Sequence, residues 1–170
     1  MQSVTKIAIV GGGIVGLSIA FELSKTGVEV TVFERNRKVG RGATAAALGG
    51  ITPQSESMCR GPLRHLATWS TELYEAFISE ISTESGIDIP VLSSGQLQVA
   101  MSDVEMSALV EGILPVWESE GFTTHILDRR QTLDREPLLG PKVVGSLLLP
   151  IEIALEPTRL VYGLLECRRY

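Results

Sequence analysis

The chain has 170 residues, 44% of them hydrophobic, with 15 basic and 20 acidic side chains and a net charge of −5. That balance argues against nucleic acid or an anionic membrane as the main partner, and no apolar run approaches the roughly 20 residues of a membrane span. The length suffices for one domain core but is small for a two-domain dinucleotide enzyme. Near the N-terminus a single Lys6 precedes an apolar run that passes directly into a glycine motif, so no signal peptide is expected.

Ile7 to Val10 predicts a buried strand, Gly11-Gly12-Gly13-Ile14-Val15-Gly16 a glycine turn, Ile14 to Thr26 a helix, and Val28 to Phe33 a second strand ending on Glu34. In such a unit Gly11 allows the tight turn, Gly13 lets the backbone meet a pyrophosphate, and Gly16 lets the helix pack close to the strand. The phosphates are expected on the unpaired N–H groups and positive dipole end of the helix, which makes Ile14 and Val15 of the first turn candidate contacts. Glu34 stands 23 residues after Gly11, near the spacing of an acid that holds a ribose hydroxyl and disfavours a 2′-phosphorylated cofactor. Ile14, Leu17, Ala20 and Phe21 form one apolar stripe, widened by Ile19 and Leu23, with Gly27 as the stop. Both strands read as central members of a larger parallel sheet. The motif implies a dinucleotide without saying which.

Arg35 follows the acid directly and is a further candidate contact, whereas Arg37 and Lys38 read as a solvated connection. From Gly42 the run Ala43-Thr44-Ala45-Ala46-Ala47 leads to Gly49-Gly50-Ile51, too small-sided for an ordinary surface helix. It suits close approach of backbone to a flat ligand, with Thr44 free to bond a phosphate or sugar, and equally a short packed helix ending at a glycine pair.

A long helix is expected from Gly61-Pro62 to Gly86, with Leu66, Trp69, Leu73, Tyr74, Phe77, Ile78 and Ile81 as core and His65 in a surface or packing role. Gly95 to Met101 alternates as a half-exposed strand of an antiparallel sheet. Ser102 and Glu105 have capping-box spacing for a helix that Pro115 should bend and Gly121 should end. Thr123 to Leu127 reads as a strand containing His125, Asp128 to Glu136 as a charged short helix, Val143 to Leu149 as a strand, and Glu156-Pro157 as the start of a helix on Leu160, Val161, Leu164 and Leu165. Cys59 and Cys167 have no metal or redox spacing. They are expected to be plain thiols in a reducing cytoplasm, a disulfide being the lesser alternative.

In this order the segments resemble the N-terminal portion of the FAD-dependent D-amino-acid-oxidase superfamily, most closely its glycine oxidases of thiamine biosynthesis. The likeness is carried by Val10 to Gly16 with Glu34, by Gly42 to Ala47 leading to Gly49-Gly50-Ile51, by Ser85-Gly86-Ile87-Asp88-Ile89 with Gly95-Gln96-Leu97, and by Arg135-Glu136-Pro137 through Glu156-Pro157. It covers nearly the whole chain and about the first half of a family member. It implies an α/β fold: an incomplete Rossmann-like FAD-binding βαβ unit plus part of an α+β substrate domain with antiparallel strands. The implied division is 1–60 for the FAD-binding part, 61–155 for the start of the substrate domain, and 156–170 for a returning helix.

The resemblance assigns the FAD pyrophosphate to Gly11, Gly13 and Gly16, the adenosine ribose to Glu34, the pyrophosphate and ribityl chain to Ala43 and Thr44, and the flavin ring to Gly49 and Gly50. Leu48 departs from close relatives, which reach the glycine one residue sooner. The family's substrate arginine and tyrosine come later than these segments, so no catalytic side chain and no metal is expected here. The implied reaction oxidises glycine or a small amino acid or amine with oxygen to an imine, then to a keto or aldehyde acid, ammonia and hydrogen peroxide. The stretch alone is expected to be inactive and to leave an apolar sheet edge exposed, and a homo-oligomer at full length stays open. A related flavin dehydrogenase of sarcosine, proline or glycerol-phosphate type, and a non-catalytic remnant, are the alternatives.

Overall fold

The computed structural model describes residues 5–56 and 61–167; the Cys59 thiol expectation therefore lies outside the described residues. The chain forms two compact units: one gathers residues up to 50, 72–91 and those from 154 on, the other 51–71 and 92–153.

The first unit is built on β1 (Lys6–Val10) and β2 (Glu29–Phe33), joined through α1 (Ile14–Ser24). They pair in parallel, Ile7 opposite Val30 and Val10 opposite Phe33. A parallel pair needs such a crossover, and the helix supplies it. Leu17, Ala20 and Phe21, spaced along one face of α1, are buried. Also buried in this unit are Ile78 and Ile81 of α3 (Pro62–Ser85) and Leu160, Val161 and Leu164 of α7 (Pro157–Glu166). Phe77 meets Phe21 edge to face at 6.0 Å, and Lys25 sits 4.3 Å over the Phe21 ring while its ammonium pairs with Glu22 at 2.9 Å and Glu80 at 2.6 Å. Cys167 is buried, its thiol 3.9 Å from the Ile81 carbonyl oxygen.

Between the two strands and the long helix come the basic loop and α2 (Ala43–Ala46). The chain crosses between units within α3 and in β3 (Gly50–Ile51), β4 (Val91–Leu92) and β8 (Ile153–Leu155), the last three being short strands that two or three residues could not announce in the sequence.

The second unit holds the antiparallel sheet β5-β7-β6, formed by Gln96–Ala100, Gly145–Leu149 and His125–Asp128. Central β7 is buried along its whole length, and its two faces divide by the strand's period of two. Leu147 and Leu149 pack with Ala100, Leu109, Leu114 and Trp117, while Ser146 bonds Thr132 of α6 (Arg129–Arg135) at 2.9 Å. Asp128 caps α6 with a complete capping box to Gln131.

Two expectations need correction. Leu66, Trp69 and Leu73 keep helical spacing but are 57%, 61% and 52% exposed, because among the described residues no segment covers that face of α3; the buried hydrophobic residues of the helix begin at Ile78. Pro115 does not simply bend its helix. The helix α4 (Asp103–Ser107) widens into a π-helical stretch, Ala108–Ile113, and resumes as α5 (Leu114–Ser119), with the Leu114 N–H bonded to the Leu109 carbonyl five residues back. Pairing one residue further back falls where proline, with no N–H of its own, leaves a carbonyl of the preceding turn without its usual donor. As expected of the stretch alone, β1 and β2 form a two-stranded sheet among the described residues, and Val10 and Phe33 at its end are 90% and 56% exposed.

Candidate cofactor site

The site grows from the end of β1. Gly11 takes a φ of 113°, open to glycine and costly for other residues, and its N–H bonds the Phe33 carbonyl at 2.8 Å, tying the turn to the end of β2. Three residues into α1, Gly16 lies so close to the turn that an added Cβ would collide with the Gly11 carbonyl oxygen. The first bond inside α1 runs from the Leu17 N–H to the Gly13 carbonyl at 3.0 Å. The N–H groups before it have no carbonyl one turn back. That of Ile14 is held by the buried Thr44 hydroxyl at 3.1 Å, which docks α2 against the start of α1. Those of Val15 and Gly16 stay at the positive end of the helix dipole, a seat for an anion.

Glu34 closes the other side. Its Oε2 accepts the Gly12 N–H at 2.8 Å, and its Oε1 accepts both the backbone N–H of Asn36 at 2.8 Å and the Asn36 side-chain amide at 2.7 Å. The Asn36 and Gly12 backbone donors, helped by the Asn36 amide and the Arg35 charge, hold this carboxyl below the ordinary glutamate value. It is therefore an ionised acceptor beside the anion seat.

A cavity of about 780 Å³ opens over these groups. Of the residues singled out in the sequence, Gly11, Gly13, Ile14, Val15, Gly16 and Glu34 line it. So do Arg35, Gly42, Ala43 and Thr44, along with Asn36 and Gly40, which sequence reasoning did not single out. Asn36 had a legible signal: a turn residue two places after an acid, within reach of its carboxylate. Gly49, Gly50 and Ile51 are not in this cavity. Gly49 has a φ of 86°, and a Cβ there would collide with the Leu155 carbonyl, whose own N–H bonds the Gly49 oxygen at 3.1 Å. Packing against the chain's own β8 accounts for that glycine.

The donors, the acceptor and the volume fit the adenosine and pyrophosphate part of a dinucleotide: N–H groups and a helix end for phosphate, an ionised carboxylate for a ribose diol, and glycines where a Cβ would intrude. In the second unit, the buried Arg64 guanidinium donates to the carbonyls of Pro53 at 2.6 Å and Gln54 at 2.8 Å and lies 3.3 Å from Glu120. It pins its own loop and is not offered to a ligand. Among the described residues no group of three histidine, cysteine or acidic side chains stands close enough to hold a metal ion, and no helix is long and apolar enough to cross a membrane.

Comparison with known proteins agrees with this geometry. The family described as FAD dependent oxidoreductase (DAO) matches residues 6–167. The chain is similar to a glycine oxidase of Geobacillus kaustophilus, 34% identical over 145 residues, covering 85% of this chain and 38% of that protein. It is also similar to one of the polypeptides of an opine oxidase from Rhizobium meliloti, 35% identical over 147 residues, covering 83% of this chain and 38% of that protein. The crystal structure of the Geobacillus kaustophilus glycine oxidase superposes with a TM-score of 0.87 at 31% identity, covering 96% of this chain and 44% of that one. The chain thus spans well under half the length of these relatives.

Proposed function

The chain belongs to the FAD-dependent oxidoreductase family of the D-amino-acid-oxidase type, and from that premise we propose that the complete protein oxidises the C–N bond of glycine or a similarly small amino acid or amine, with oxygen as acceptor. When bound, FAD supplies a two-electron acceptor for the hydride leaving the α-carbon and passes the electrons to oxygen as hydrogen peroxide. The imine released is hydrolysed to a keto or aldehyde acid and ammonia. In this reading, residues 1–60 begin the FAD-binding domain, 61–155 begin the substrate domain and 156–170 return toward the former, in a cytoplasmic protein.

The chain's own residues bind and orient. The N–H groups at the start of α1 receive the pyrophosphate, Thr44 holds α2 against them, and Glu34 accepts a ribose hydroxyl. The observation that supports this most is the Glu34 carboxylate, fixed at 2.8 Å on the Gly12 N–H of the glycine turn, which brings the ribose acceptor beside the phosphate seat. No described residue is proposed to touch the substrate, so the stretch alone retains FAD weakly and does not turn over glycine.

The test is reconstitution of the complete protein carrying this sequence with FAD, followed by addition of glycine under air. Flavin bleaching and stoichiometric peroxide are expected. A protein that retains no flavin once excess FAD has been removed sinks the cofactor reading. Reduction of an artificial electron acceptor without peroxide favours the dehydrogenase alternative. The similarity to an opine oxidase polypeptide supports a second substrate reading, so an opine belongs in the same assay; turnover of the opine alone would replace glycine by the bulkier amine.

A further inference from the structure

We propose that Asn36 is a positioning residue of the ribose seat: it holds the Glu34 carboxylate in the one orientation that leaves an acceptor site beside the glycine turn. The proposal rests on the FAD reading of this cavity and adds to it a residue outside the glycine fingerprint and its acid.

An ionised carboxylate offers about four lone-pair positions, two on each oxygen. On Glu34 the Asn36 backbone N–H and side-chain amide take both positions of Oε1, at 2.8 and 2.7 Å. The Gly12 N–H takes one of the two on Oε2, at 2.8 Å. The position left is on Oε2, the oxygen already bonded to the glycine turn, and that is where a ribose hydroxyl is needed. Glu34 has three rotatable side-chain bonds. Without the Asn36 side-chain amide only the backbone N–H groups of residues 12 and 36 would hold the carboxylate, Oε1 would keep a free position as well, and the acceptor site would no longer be confined to Oε2.

Asn36 does this without adding charge. Among the described residues lining the cavity, Arg35 is the other charged side chain facing the site. An aspartate at position 36 would keep the shape and remove the side-chain donor, setting a second anion against Glu34. The lowered proton affinity of Glu34, to which Asn36 contributes through both its backbone and side-chain bonds, agrees with the geometry.

The test uses the chain as it stands, with ADP as the probe for the adenosine and pyrophosphate part of the site. The Glu34 carboxyl is titrated by NMR in the wild type, Asn36→Ala and Asn36→Asp, and ADP binding is followed through the amide signals of Gly12, Gly13 and Val15. Asn36 is exposed, so both variants are expected to fold. In Asn36→Ala, Glu34 should titrate at higher pH, ADP should bind about three- to tenfold more weakly, and the acid limb of binding should move up with Glu34. Asn36→Asp should shift all three further. An unmoved Glu34 titration, or ADP affinity equal in wild type and Asn36→Ala, overturns the proposal while leaving the cofactor reading intact. A shifted Glu34 titration with no change in ADP binding between the wild type and either variant also overturns the proposal, because Asn36 would then hold the carboxylate without serving a ribose.

Discussion

Glu34 and Glu152 are carboxylates whose surroundings push their proton affinities in opposite directions. Glu34 is pulled below the ordinary value by the donors from Asn36 and Gly12, so its native bonds contribute fully above that value and are lost as pH falls through the lowered native one. Glu34→Ala in the complete protein should weaken FAD binding by about tenfold or more, the scale of a charge-assisted hydrogen bond; equal affinity in equilibrium dialysis would show the ribose lies elsewhere. Glu152 is only 1% exposed, and burial pushes its carboxyl up despite the Ser55 N–H at 2.5 Å and hydroxyl at 2.9 Å that favour the anion. With a raised native value the neutral form is favoured on folding. Stability is then full below the ordinary glutamate value and declines as pH rises through the raised one. Urea midpoints should therefore fall more steeply in wild type than in Glu152→Gln as pH rises above the ordinary glutamate range, and parallel curves would count against it. Gly49→Ala should destabilise the chain by about 1–3 kcal/mol in thermal melts, since a Cβ there meets the Leu155 carbonyl at a φ of 86°.

At the scale of elements, β7 is the strand on which the second unit depends, buried at all five positions. Leu147→Ala should cost about 2–5 kcal/mol by urea denaturation, because a fully buried leucine leaves a cavity in the sheet's packed face. This strand, α1, α6 and α7 were legible because each writes its burial into local spacing or a cap. The crossing strands were not, since two or three residues show no period. Pro115 was legible as an interruption, but whether the chain bends or widens there depends on which carbonyl takes the Leu114 N–H. The site divides the same way. The glycine turn and Glu34 follow from short spacing, whereas the bond from Ile14 to Thr44 joins residues 30 apart and had no local sign. The small-residue run gave Thr44 as a ligand contact; its hydroxyl is engaged at the head of α1.

For the whole molecule, the informative feature is apolar surface. Val10, Phe33, Leu66 and Trp69 are 90%, 56%, 57% and 61% exposed, on a chain that covers 38% of the glycine oxidase it resembles. If the start of α3 is uncovered, Leu66→Gln with Trp69→Gln should leave the stability of this chain within about 0.5 kcal/mol while reducing the fluorescence of a bound apolar dye. A large loss of stability would mean that this face is packed after all.

The first unit is closed by α7, whose Leu160 and Leu164 are buried in the same unit as α1. The layer that covers α1 is thus encoded more than a hundred residues after α1 itself. During synthesis one face of α1 therefore has no cover until α7 has left the ribosome, so the order of translation sets the earliest moment at which the core of the first unit can close.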